Sequence, residues 1–96
     1  MAIDTETALG LVKARLNRLP GDTSLDDYLL KRIEAAAAEL QRVGIDLADT
    51  PDDMMLLVDM TVWQYSNRDK ADGMPPWLRL RRRERWLHQR KGGGAS

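Results

Sequence analysis

Asp52-Asp53-Met54-Met55-Leu56-Leu57-Val58-Asp59-Met60-Thr61-Val62-Trp63-Gln64-Tyr65-Ser66-Asn67-Arg68 is the stretch on which the reading of this chain turns. Thr50 can cap its first free amides, and Pro51 suits the first helical position, where a missing N–H costs nothing. Asp52 and Asp53 set negative charge at the positive end of the helix dipole. Apolar residues then fall on almost every side. Met54, Val58, Thr61 and Tyr65 share one stripe, Met55 and Val62 lie beside it, and Leu57, Met60 and Trp63 widen it. A helix apolar around most of its circumference is covered by neighbours. At 1.5 Å per residue it is roughly 25 Å long, enough to act as the spine of a small domain.

The chain of 96 residues is one domain. A domain this small hides only roughly 60–65% of its unfolded surface, so association with copies or partners adds needed stability. There is no cysteine, hence no disulfide and no thiolate chemistry, which fits a reducing compartment. No apolar run approaches the ~20 residues of a membrane span, and the opening residues lack a basic-then-apolar leader. The expectation is an intracellular product that does not enter membranes. The net charge of zero hides a split. Residues 1–67 hold six Lys/Arg against twelve Asp/Glu, a net −6; residues 68–96 hold nine against three, a net +6. Copies of such a molecule can pack with opposite charges facing.

Outward from the spine, the pattern predicts three more helices and no strand. Met1 to Asp4 reads as a loose arm. Thr5 can cap a helix over 5–19, with Leu9, Val12, Leu16 and Leu19 at helical spacing and Pro20-Gly21-Asp22 as the stop. Ser24-x-x-Asp27 resembles a capping box and opens a helix over 24–43. Its stripe is Leu29, Ile33, Ala36, Leu40 and Val43, and Gly44 suits a left-handed stop. Ala35 to Ala38 allow close packing, inside the domain or against a neighbouring copy. Ile45 and Leu47 anchor a short connector. The spine should run over 51–69, ending before Asp72-Gly73 and Met74-Pro75-Pro76. A last helix is expected over 76–90, with Trp77, Leu80 and Leu87 on one face and Glu84 between them. Gly92 to Ser96 reads as a flexible tail. Much of the core should come from Trp63, Tyr65, Met54, Val58, Leu29, Ile33, Leu9 and Leu16.

Catalytic and metal chemistry find little support. His88 is the single histidine and sits among arginines, whereas zinc sites need several His or Cys ligands. No serine has a visible histidine partner arrangement. The glycines lie in turns and in the tail, and none forms a phosphate-cradling loop between strand and helix. Asp26-Asp27 and Asp52-Asp53 fall at helix starts, where the dipole explains them. The expectation is a non-enzymatic chain with no cofactor. The concentrated feature is 77–86, where five arginines and two tryptophans occupy ten residues. Such a helix can be a solvated basic face, a phosphate-contacting surface, or an anchor on an acidic protein. Few Asn, Gln or Ser residues accompany the arginines, so it does not read as a base-recognising helix.

The second half resembles a known family. The signals are the Met54-x-x-Leu57 spacing of the spine, then Val62-Trp63-Gln64-Tyr65 and Asn67-Arg68-Asp69. A short break at Gly73-Met74-Pro75 then leads to Trp77-Leu78-Arg79. Over residues 54–87 this is similar to the head–tail connector, adaptor or head-completion proteins of long-tailed bacteriophages. The resemblance implies a helical-bundle subunit of the virion neck, made in the bacterial host cytoplasm. It implies a ring of copies, usually twelve, beneath the portal protein. Such a ring continues the DNA channel, lets DNA pass without reading its sequence, and presents a platform to the next neck or tail-completion protein. The family's C-terminal segment reaches the portal, a role that falls here to Trp77 through Ser96. Arg79, Arg82, Arg83, Trp86 and Arg90 are the expected contact residues. The alternative is a small helical nucleic-acid-binding or regulatory protein that uses the same arginine-rich helix.

Overall fold

The computed structural model describes residues 3–67 and 73–94. Among the described residues the chain is all-α, as the periodicity predicts. The elements are α1 (Thr5–Arg15), α2 (Asp26–Arg42), α3 (Pro51–Ser66) and α4 (Pro76–Gly94). The first three helices pack on one another, and α4 packs on α3.

The spine is α3, and its start follows the sequence signals. Thr50 is extended and its hydroxyl accepts the Asp53 amide at 3.2 Å, with Pro51 leading the first turn. From Asp53 through Thr61 every residue except Met55 is buried. Thr61 has no free hydroxyl to desolvate, because its Oγ1 donates to Leu57 O one turn back at 2.8 Å. The expected core residues Met54, Val58, Leu29, Ile33 and Leu9 are buried, while Leu16, Trp63 and Tyr65 are half-buried against that core. Tyr65 meets Tyr28 of α2 edge to face, ring centres 6.0 Å apart. Ala36 and Ala37 lie inside; Ala35 and Ala38 face out. Ile45 and Leu47 anchor the α2–α3 connector, as expected.

Several boundaries differ from the sequence reading, each for a local reason. Of the expected loose arm, Ile3 is buried and Asp4 caps the first helix, while Met1 and Ala2 lie outside the described residues. Asp4, not Thr5, caps α1: its carboxylate accepts the Glu6 amide at 3.0 Å and the Thr7 hydroxyl at 2.8 Å. The Thr7 hydroxyl bond, then the Glu6 amide, hold that carboxyl below the usual carboxylate range. The helix stops at Arg15 rather than Leu19, because Asn17 takes a left-handed conformation, φ 59°. Leu19 is left exposed. The turn is fastened from inside by Lys13, a buried cation whose Nζ donates to Pro20 O at 3.0 Å and pairs with Asp26 Oδ1 at 3.0 Å.

The capping box at Ser24 does not form. Asp22 instead accepts the Ser24 amide at 3.1 Å and its hydroxyl at 2.7 Å, and α2 begins two residues later at Asp26 with Leu25 as an uncapped first position. Val43 is an exposed helix end rather than core. Gly44 does adopt the left-handed stop, φ 96°. α3 ends at Ser66, with Asn67 folding its side chain back to donate to Trp63 O at 2.8 Å. Arg68 and Asp69, read as the last residues of the spine, lie outside the described residues. α4 runs to Gly94, beyond the expected end near Arg90; Ala95 and Ser96 lie outside the described residues.

The orientation of α3 makes a paired expectation. Leu57→Ala, at a fully buried spine position, should cost about 2–5 kcal/mol. Met55→Ala, on the spine's exposed residue, should cost less than about 1 kcal/mol. Urea unfolding of the two variants checks the contrast.

Candidate partner-binding face on the last helix

Helix α4 is laid on the bundle by its arginines. At roughly 100° per residue, positions 78, 81, 82, 85 and 89 share one side. Leu78 on that side is fully buried, and the rest of the seam is polar. Asp53 and Asp59 of α3 are both buried carboxylates, and a buried charge is costly unless it is paired and hydrogen-bonded.

Arg85 meets Asp53 as a fork. Nε donates to Oδ1 at 2.6 Å and Nη2 to Oδ2 at 2.9 Å, while the Ala48 amide donates to Oδ2 at 2.6 Å. Burial pushes the Asp53 carboxyl up, but the Arg85 bonds, the Ala48 amide and the positive charges of Arg85 and His88 outweigh it. The net effect holds Asp53 below its ordinary value of 3.8. Bonding to Asp53 in turn raises the Arg85 guanidinium further above its usual range, against the opposing pull of burial. The second carboxylate, Asp59, is shared by Arg15 of α1 and Arg81 of α4, which joins three helices at one acid.

The same seam holds the α2–α3 connector. Arg85 Nη2 donates to Asp46 O at 2.7 Å. Gln89 receives the Asp46 amide at 2.7 Å and donates to Gly44 O at 2.7 Å. Gly44 is required twice over. Its φ suits glycine, and a Cβ there would stand 2.9 Å from Trp86 Nε1.

Opposite this seam, α4 presents what its partners leave unused. Trp77, Leu80 and Leu87, expected to share a face, do so, but that face is open: they are 50%, 55% and 41% exposed. The five expected contact residues form a neighbouring stripe at spacings of three and four. Arg79, Arg83 and Arg90 are exposed, and Arg82 and Trp86 are half-buried. None of Arg79, Arg82, Arg83 and Arg90 forms an ion pair with a carboxylate among the described residues. Arg82 Nη1 lies 3.6 Å from Met74 Sδ, and the Arg90 guanidinium covers the Trp86 ring at 4.9 Å. Arg79, Arg82, Arg83 and Trp86 share a cavity of about 340 Å³ with Val43, Ile45 and Met74. The other flank of α4 borders a cleft containing Asp52, Asp53, Glu84 and exposed His88.

The arginine cluster is therefore two populations. Arg81 and Arg85 are internal struts that the sequence reading did not separate from the rest. Asp53, read as serving the helix dipole, is an ion-pair partner as well, and Asp26 likewise pairs with Lys13. One signal could have found the struts: Asp59 stands in the middle of a helix read as covered on all sides, so it had to be met by a cation. Among the described residues no group of three or more His, Asp or Glu is arranged to hold a metal ion. No described helix is long and apolar enough to cross a membrane.

Because the folded-state Asp53 carboxyl sits below 3.8, its ion pair adds stability above that pH and loses it as pH falls further. The parent should therefore unfold more readily on acidification below about pH 4, and Asp53→Asn should flatten that acid limb. At neutral pH, Arg85→Met should cost about 3 kcal/mol by leaving a buried charge alone, and the double change should recover much of it. Denaturant titrations across pH test both.

No family model matches the chain, and no curated protein or solved structure matches it either.

Proposed function

We propose that this chain is a non-enzymatic connector subunit that docks through the outer face of α4, joining copies of itself and a portal-type partner into the neck of a bacteriophage particle. The observation that carries the reading is the sorting of the arginines. Two are consumed in holding α4 down, while Arg79, Arg83 and Arg90 are exposed and Arg82 lies half-buried over Met74, and none of the four pairs with an acid among the described residues. An exposed guanidinium row next to exposed Trp77, Leu80 and Leu87 is the residue mix of a protein-docking patch, in which Trp and Arg are favoured anchors.

The two flanks of α4 support assembly from identical copies. One flank carries Arg79, Arg82 and Arg83, and the other opens on a mixed cleft where Asp52 of α3 and Glu84 are the acids without an ion pair among the described residues. Arginines on one side and unpaired acids on the other suit head-to-tail contact, which closes into a ring when the rotation between neighbours allows. The resemblance over residues 54–87 supplies the portal, the next neck protein and the passing DNA as the other contacts. In this reading the arginines serve DNA only as a non-specific lining charge.

Arg82→Glu combined with Arg83→Glu should leave the far-ultraviolet circular dichroism unchanged, since neither residue holds an ion pair among the described residues, and should abolish co-assembly with the portal protein encoded in the same genome. Light scattering of the chain alone and mixed with portal reads the outcome. Undiminished co-assembly counts against the reading. Steeply salt-dependent binding of random duplex, without portal binding, would favour the nucleic-acid alternative.

A further inference from the structure

We infer that the cavity under Arg79, Arg82 and Arg83 is a receptor site for a short acidic peptide segment carrying one bulky apolar side chain, supplied by a different protein. This deepens the docking reading above and rests on it, because it names the chemistry of the partner that the α4 face receives.

The cavity combines two kinds of wall. Its floor and back are Val43, Ile45 and Met74 beside Trp86, all apolar. Its rim is three guanidinium groups with no carboxylate among the described residues to answer them. At about 340 Å³ it is at the small end of ligand sites, room for a side chain rather than a cofactor. The rim asks for carboxylates, which arginine forks bind in two-point contacts. The floor asks for an apolar anchor. A segment with acids flanking a Leu or Phe answers both at once.

The walls are fixed in place. Trp86 is held against Gly44 and beneath Arg90, and Gln89 ties the Gly44 carbonyl to α4. Arg82 already bends over the Met74 sulfur, so its guanidinium stands over the floor instead of extending into solvent. Little reorganisation is then needed to receive the segment.

Nucleic acid fits less well. Single strands need free aromatic faces for stacking, and the Trp86 ring is covered by Arg90 on one side. Glu84 of α4 and Asp52 of α3 border the cleft on the other flank of α4, so the positive surface does not continue around the helix as a duplex backbone would need. A second copy is the competing occupant, because its exposed Asp52 and Glu84 hold no ion pair among the described residues; the light scattering below tells the two apart.

The test is a fluorescence-polarisation titration of the full chain with three labelled probes. The first is a hexapeptide of pattern acid-acid-Gly-Phe-acid-acid. The second is the same length and charge with Gly in place of Phe, and the third is a thymidine oligonucleotide of equal charge. The first should bind at least tenfold more tightly than either of the others. Val43→Glu places a carboxylate on an exposed wall position, so the fold tolerates it and it should weaken that binding at least tenfold. Arg79→Ala with Arg82→Ala should do the same, with thermal unfolding unchanged in both variants. Equal binding of the Gly probe, preferred binding of the oligonucleotide, or parent-like binding by Val43→Glu each overturns the site. Light scattering separates the two readings. Peptide binding by a chain that forms no ring leaves the site standing and removes the ring. A ring and portal attachment unaffected by Val43→Glu keeps the docking reading and removes the site.

Discussion

A carboxylate withdrawn from water needs matching hydrogen bonds and counter-charge, and two buried ones sit on the spine of this protein. Asp53 and Asp59 are buried on α3, and three arginines from two other helices converge on them. Replacing such pairs by well-fitted apolar residues is often neutral or better for stability, so their value lies less in gross energy than in what they exclude. Any arrangement that leaves either acid without its fork is several kcal/mol worse, by general experience with broken buried pairs. The acids thus dictate that α4 lies antiparallel along α3, Arg81 near Asp59 and Arg85 near Asp53, and that α1 closes on the same spot through Arg15.

That constraint explains the inverted character of α4. A helix on the surface of a small bundle ordinarily turns its apolar stripe inward. Here the inward side offers one buried leucine, Leu78, and a row of polar forks, while Trp77, Leu80 and Leu87 look out. The greasy core belongs to α1, α2 and α3, with Ile45 and Leu47 of the connector closing it. The residues that hold α4 down and those it turns outward are accordingly different residues of the same ten-residue stretch.

How much of this could be read from the amino acids depends on the kind of signal. The all-α class, the spine and its Thr50 cap follow from period and end chemistry, and Gly44 announces its left-handed turn. The ends of α1 and α2 were less legible. Asp4 and Asp22 out-compete Thr5 and Ser24 as local acceptors, and Asn17 takes a conformation that the leucine spacing does not report. That Arg79, Arg82, Arg83, Trp86 and Arg90 lie away from the Trp77, Leu80 and Leu87 face follows from helical spacing. Which side of α4 faces the bundle was not. Periodicity favours burying Trp77, Leu80 and Leu87, and only the unmatched acids on α3 reverse that choice. The copies and portal invoked for the outer face come from the family resemblance and belong to the proposal.

The two-pin attachment of α4 also separates what natural variation can reach. Sliding the helix by a single residue would rotate both forks off their acids together, so its register is indexed at two points and resists ratcheting. The residues that do the indexing are not the ones that look outward. A lineage could rewrite the outer surface of α4 wholesale while the scaffold beneath kept the same geometry.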